Sequence, residues 1–178
     1  RGLPRANAVI VLNDADTRLP LAIMEGGLIS ALRTAVVQGL AARRLARPDA
    51  ATVGVVGAGR IAALTLHVLH SWFPSLAPTR CFDLDPQRAG RFAEHMQTLG
   101  VFVEVTDRYE DALTDADIAL AATTAKEAYV APECFREGSL FLNVSLMDPT
   151  FAFVQRADKI VVDDWEQCIH SDRVLARM

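Results

Sequence analysis

Residues 52–62 read Thr52-Val-Gly-Val-Val-Gly57-Ala58-Gly59-Arg60-Ile61-Ala62, and this stretch decides the fold. Thr52 to Val56 has the length and β-branched character of a buried strand, and a helical stretch from about Arg60 to Trp72 stops before Pro74. Between them stands a Gly-x-Gly-x-x-Ala turn. Gly57 permits the tight turn, Gly59 leaves room for a pyrophosphate to approach the backbone, and Ala62 lets the helix pack closely on the strand. The amides of Arg60 and Ile61, at the helix N-terminus, would receive the phosphates' negative charge. Glycine-rich turns also arise for packing alone, so the motif needs its context.

Downstream, strand and helix alternate. Strands are expected at Arg80–Asp83 and Val101–Val105, with a helix opened by Pro86 between them that runs to Gly100. A short helix at Tyr109–Leu113 leads to strands at Asp117–Ala122, Ser139–Val144 and Lys159–Asp163. Six strands with helical crossovers predict an α/β fold, a doubly wound parallel sheet of the Rossmann kind. Upstream, Ala8–Asn13 and Thr17–Ile23 flank the turn Asp14-Ala-Asp16 and predict a β-hairpin. After Gly26-Gly27, Leu28, Leu32, Val36 and Leu40 recur every four residues and predict a linking helix that ends in Arg43, Arg44 and Arg47 before Pro48. Residues 1–48 thus form a hairpin and helix belonging or linking to a substrate and dimerisation domain, and 49–178 form the nucleotide-binding domain.

Asp83 closes the second strand of the alternating part, 26 positions after Gly57, where an acid can bind the hydroxyls of an adenine ribose. Leu84 follows where a reader of a 2′-phosphate would be an arginine, so NAD is favoured over NADP, with Arg88 keeping the second open. Asp85, directly before Pro86, is the better candidate for capping the next helix. Thr123 and Thr124 end a parallel strand on the crevice side, where hydroxyls either contact the nicotinamide half or cap the next turn. Asn143, Ser145 and Asp148 follow the next strand in the same geometry, with helix entry before Pro149 as the structural alternative for Asp148. Arg33 on the linking helix could pair with a carboxylate or phosphate. His67, His70 and His95 lack ligand spacing and read as surface or packing residues.

The 178 residues carry 18 basic and 22 acidic side chains, a formal charge of -4, and 51% are hydrophobic. Such a chain is neither disordered nor a nucleic-acid surface. Cys81, Cys134 and Cys168 have no metal-site spacing and read as buried thiols in a reducing compartment. No apolar run approaches the ~20 residues that span a bilayer. Residues 1–5 lack the apolar core of a signal peptide, so the cytoplasm is expected. The chain opens on Arg1, which suggests part of something larger.

Several stretches together resemble the ornithine cyclodeaminase/μ-crystallin family. They are Pro20–Met24, Ile29-Ser-Ala-Leu-Arg33-Thr34-Ala35, Ala41–Arg47, Gly57-Ala-Gly59 and Ala121-Ala-Thr123-Thr124. Leu12–Thr17 and Val162–Cys168 look most like the branch that makes L-2,3-diaminopropionate for siderophores and peptide antibiotics, an N-(2-amino-2-carboxyethyl)-L-glutamate dehydrogenase. The resemblance implies a substrate-carboxylate role for Arg33 and cofactor roles for Thr34, Arg60, Ile61, Asp83 and Thr123, which join Gly57 and Gly59 of the motif and Thr124 and Ser145 at the strand ends as the expected cofactor residues; no metal is expected. Asp148, in Leu142-Asn-Val-Ser-Leu-Met-Asp148, has the spacing of the family's catalytic aspartate, although Leu146 and Met147 replace two glycines. The implied reaction passes hydride from the Cα of a secondary amine to NAD, and water hydrolyses the imine to 2-oxoglutarate and diaminopropionate. Ornithine cyclodeaminase, a ketimine or imino-acid reductase, and a non-catalytic crystallin-like binder are the alternatives. The implied full-length protein is a homodimer, of which this chain would be the cofactor-binding part, inactive alone.

Overall fold

The computed structural model describes residues 7–145 and 147–170. Strands β1 (Val9–Asn13) and β2 (Pro20–Glu25) form the expected antiparallel hairpin, with Val9 opposite Glu25 and Leu12 opposite Ala22. Its turn is organised by Asp14, whose carboxylate accepts the Thr17 amide at 2.7 Å, the Thr17 hydroxyl at 2.8 Å and the Asp16 amide at 3.2 Å. This local bonding is why aspartate is favoured in turns.

Helix α1 (Gly27–Leu45) forms where the four-residue period predicts it, but its packing face is a different one. The buried positions are Gly27, Ala31, Ala35, Gly39 and Ala42, and this small-residue edge lies against α2 (Arg60–Trp72). A Cβ on Gly39 would come within 2.4 Å of Val68 and 2.8 Å of the Trp72 ring, so the two backbones meet at a distance only glycine allows. Leu28, Leu32, Val36 and Leu40 point outward and remain 40–50% exposed.

The sheet consists of β3 (Val53–Val56), β4 (Thr79–Phe82), β5 (Val103–Val105), β6 (Ile118–Ala121) and β7 (Leu140–Asn143). Its spatial order is β5-β4-β3-β6-β7, parallel throughout. Helices α3 (Pro86–Thr98) and α4 (Tyr109–Leu113) complete the crossovers. The expected sixth strand is corrected: Lys159–Asp163 joins no ladder, and Ile160 and Val161 are 41% and 61% exposed. A β-branched run satisfies the strand pattern locally, but a strand exists only where a neighbour accepts its hydrogen bonds. The chain instead continues through α5 (Phe151–Arg156) to α6 (Trp165–Ile169).

Alternation along β3 and β6 feeds two cores. Val53, Val55, Ile118 and Leu120 pack with Leu66, Leu69 and Met96 on one face, and Val56 and Ala119 pack with Leu113, Val130 and Cys134 on the other. Cys81, Cys134 and Cys168 are buried as expected, and burial pushes the Cys81 thiol up to about 12. No helix of the described residues is long and apolar enough to cross a membrane. Strand order reverses between β3 and β6, and the crevice outside their carboxyl ends is where such sheets hold ligands.

Candidate functional site

The glycine turn lies at this reversal. Gly57 has φ +97°, and a Cβ there would sit 2.6 Å from the Ala122 carbonyl oxygen beyond β6, so turn and neighbouring strand leave no room for a side chain. Gly59 differs: its backbone is extended, with φ −102° and ψ 177°, and a Cβ would meet nothing within 4 Å. Open space over Gly59 leads directly onto the N-terminus of α2, where no side chain caps the helix and no acid stands in the first turn. The Arg60 and Ile61 amides therefore meet a pyrophosphate's requirements, while Ala62 is fully buried against the sheet. The residues present fit a dinucleotide.

Asp83 reaches back from the end of β4 to this turn. Its Oδ2 accepts the Ala58 amide at 2.8 Å and its Oδ1 the Asp85 amide at 2.9 Å. The acid is thereby fixed beside the glycine loop, at one end of the crevice. Asp85 is the helix cap, accepting from Gln87 at 3.0 Å and Arg88 at 3.2 Å. Arg60, Arg88, Arg91, Phe92 and His95 line a groove of about 420 Å³ next to Gly59.

At the other end, the carboxyl tips of β6 and β7 are tied together by side chains. The Thr123 amide donates to Ser145 Oγ at 2.6 Å, and Ser145 donates to the Ala121 carbonyl at 3.3 Å. Thr123 Oγ1 donates to Asp148 Oδ1 and accepts the Ala125 amide at 3.1 Å, so it both caps its turn and engages the acid. Tyr129 adds a second hydroxyl to the same oxygen, at 2.9 Å. Asp148 is fully buried, and its Oδ2 has no hydrogen-bond partner among the described residues. A buried carboxylate with one oxygen doubly satisfied and the other bare lacks a donor on that side. Helix entry is not its role, because α5 is capped by Thr150, which accepts the Phe153 amide at 3.2 Å. Leu146, in the same loop, lies outside the described residues, as do Arg1–Arg5.

The remaining candidates are more peripheral. Arg33 is exposed on α1, and Thr34, half-buried, donates to the Ser30 carbonyl at 2.8 Å. Thr124 is exposed. The Leu28 and Gly27 amides, which the Glu25 carboxylate accepts, hold that carboxyl below its ordinary range at the start of α1. Of the histidines, His70 packs against β4 with Nε2 3.0 Å from Thr79 Oγ1. Among the described residues no cluster of histidine, cysteine and carboxylate side chains could hold a metal. The residue that sequence reasoning missed is Tyr129. No motif surrounds it; the available signal was that both tyrosines of the chain, Tyr109 and Tyr129, meet here edge to face with centroids 5.0 Å apart.

A parallel doubly wound sheet with an uncapped helix N-terminus and an acid at its reversal point defines a dinucleotide-binding domain of the Rossmann type. The particular family follows from residues 1–156, which match the model of the ornithine cyclodeaminase/mu-crystallin family, and the chain belongs to that family. It is 29% identical over 180 residues to the N-((2S)-2-amino-2-carboxyethyl)-L-glutamate dehydrogenase of Staphylococcus aureus, covering 100% of this chain and 54% of that protein. Among solved structures it is similar to the Thermococcus litoralis Delta(1)-pyrroline-2-carboxylate reductase in complex with NADH and L-proline, at 33% identity and TM-score 0.83. That match covers 88% of this chain and 50% of the reductase. It also resembles an archaeal alanine dehydrogenase dimer with bound NAD, at 28% identity and TM-score 0.84, over 96% of this chain and 53% of that one. The chain spans about half the length of the curated relatives it matches.

Proposed function

We propose that this chain is the cofactor-binding part of an NAD-dependent enzyme. That enzyme oxidises and hydrolyses N-(2-amino-2-carboxyethyl)-L-glutamate to L-2,3-diaminopropionate and 2-oxoglutarate, a precursor step for siderophores or peptide antibiotics. The observation that carries the reading is the placement of two carboxylates about one glycine turn. Asp83 is bound to the turn itself, and Asp148 is buried behind the tip of β6 with one oxygen unpartnered among the described residues. The Staphylococcus aureus relative, similar along the whole chain, supports the diaminopropionate substrate.

Gly57 and Gly59 would admit the pyrophosphate, the Arg60 and Ile61 amides and Thr34 would bind it, and Asp83 would hold the adenine ribose. Thr123, Thr124 and Ser145 would face the nicotinamide half. When bound, NAD supplies the two-electron oxidation. Asp148 would accept the proton from the substrate's secondary amine, and Arg33 would pair with a substrate carboxylate. Residues 1–48 belong with the substrate and dimerisation part. Val9 and Ile23 on the hairpin are 70% and 73% exposed, and the outer face of α1 is apolar, which fits a surface covered in a homodimer. Buried thiols fit the cytoplasm.

A second reading, reduction of a cyclic imino acid, is favoured by the likeness to the Thermococcus litoralis reductase. The test is cofactor reduction by full-length protein with N-(2-amino-2-carboxyethyl)-L-glutamate and, separately, cofactor oxidation with pyrroline-2-carboxylate. NADH formation with the first substrate is expected. Turnover of only the second, or proline release from ornithine, moves the assignment within the family, and NAD binding without any turnover identifies a crystallin-like binder.

A further inference from the structure

We infer that Tyr129 is a positioning residue for Asp148: its hydroxyl, with that of Thr123, clamps Oδ1 and so fixes the orientation of the carboxylate, leaving Oδ2 as the oxygen without a donor among the described residues. The inference rests on the reading of Asp148 as the proton acceptor and adds to it a residue that no motif marks.

Four observations carry it. First, the phenol is not needed to hold the loop, because the Tyr129 and Val130 amides already donate to the Asp148 carbonyl at 3.0 and 2.8 Å, and Val130 bridges Pro149. Second, the ring is fixed independently of its hydroxyl: Tyr109 stacks edge-on against it and donates its own hydroxyl to the Tyr129 carbonyl at 3.0 Å. A group held this firmly presents its O–H in one direction, and that direction is Asp148 Oδ1 at 2.9 Å. Third, Thr123 approaches the same oxygen from beyond the end of β6, so two donors converge on Oδ1 while Oδ2 receives none from the described residues. Fourth, burial and then the charge of Asp148 push the Tyr129 phenol well above its ordinary range, so it remains a donor at any working pH.

The titratable neighbours are consistent with this assignment. Tyr109, on α4, is itself pushed up by burial and then by Glu110 and Cys134, with the charge of Arg108 opposing them. Among the described residues no cation forms an ion pair with Asp148, and the side-chain donors on its carboxylate are the Thr123 and Tyr129 hydroxyls.

The experiment compares wild type, Tyr129→Phe and Asp148→Asn in the full-length protein, reading kcat, KM, the pH profile of kcat/KM and NAD affinity. Tyr129→Phe keeps the ring and its contact with Tyr109. Removing a donor from a carboxylate disfavours the charged form, so the acid limb of kcat/KM should move up. We expect kcat to fall about tenfold, with KM and NAD affinity within about twofold. A ring-fluorinated tyrosine at 129, a stronger donor, should move the same limb down, which a purely structural role would not produce. An unchanged profile in both variants, with Asp148→Asn inactive, overturns the positioning role and leaves the acceptor assignment standing. Full activity of Asp148→Asn overturns both.

Discussion

Two buried aspartates lie at opposite ends of the β6 and β7 pair, and they are treated in opposite ways. Asp117, at the amino end of β6, has every oxygen engaged. Oδ2 accepts the Ala51 amide at 2.9 Å, the Thr52 amide at 3.1 Å and the Thr52 hydroxyl at 3.0 Å, and Oδ1 meets Arg136 and, at 3.5 Å, Arg47. Burial works to raise its carboxyl, but the Ala51 amide and the Arg136 guanidinium outweigh it and hold the group down to about 2. Asp148, at the carboxyl end, is as deeply buried and has one oxygen with no partner among the described residues. The amino edge of the sheet is a completed structural junction. The carboxyl edge is left one donor short, on the side where parallel sheets of this kind take their ligands.

The contrast can be broken most forcefully at Asp148. Asp148→Asn in the full-length enzyme should lower kcat/KM about a thousandfold, the scale of a lost general base, while NAD affinity changes less than about twofold by calorimetry. A parallel loss of affinity would make Asp148 part of the cofactor cradle instead. Asp117→Ala should do the reverse. It strands Arg136 and the Ala51 and Thr52 amides, and should cost about 3 kcal/mol in denaturant unfolding, the lower end of the range because both arginines are 40% exposed. Bound NAD should be held as tightly as in wild type.

Acid sharpens the same comparison. The folded-state value of Asp117 is depressed, so its contribution is fully present above about pH 4 and is lost as pH falls toward 2. Wild type should lose about 2 kcal/mol across that window, measured by urea unfolding at each pH, and Asp117→Asn should not show that component. The smallest effect is expected at Asp83, where Asp83→Ala should weaken NAD about tenfold and remove its advantage over NADP. A retained preference would assign the choice of cofactor to Arg60, Arg88 and Arg91 in the neighbouring groove.

The glycine turn, Asp83 and the cap at Asp85 were legible because each is a local rule: a spacing, a strand end, an aspartate before a proline. The site's other half was legible only in part. Asp148 could be placed by its distance from Leu142, but its pairing with Thr123 and Tyr129 joins positions 25 and 19 residues away and depends on how the β6 and β7 loops fold together. The same limit applies to α1. A four-residue period announces a helix and is silent on which of two stripes packs inward; the outcome turned on Gly39, where the side chains of Val68 and Trp72 need the space. The segment Lys159–Asp163 has strand composition but pairs with no strand among the described residues.

The central claim is that the carboxyl edge of this sheet holds a dinucleotide across the Gly57–Gly59 turn. Gly59→Asp tests it most directly, because the extended backbone accepts any residue and the new Cβ meets nothing within 4 Å. The substitution should leave thermal unfolding of the full-length protein unchanged. It should weaken NAD at least about tenfold in a calorimetric titration, by filling the pyrophosphate's space with a negative charge. NAD binding as tight in Gly59→Asp as in wild type would contradict the assignment.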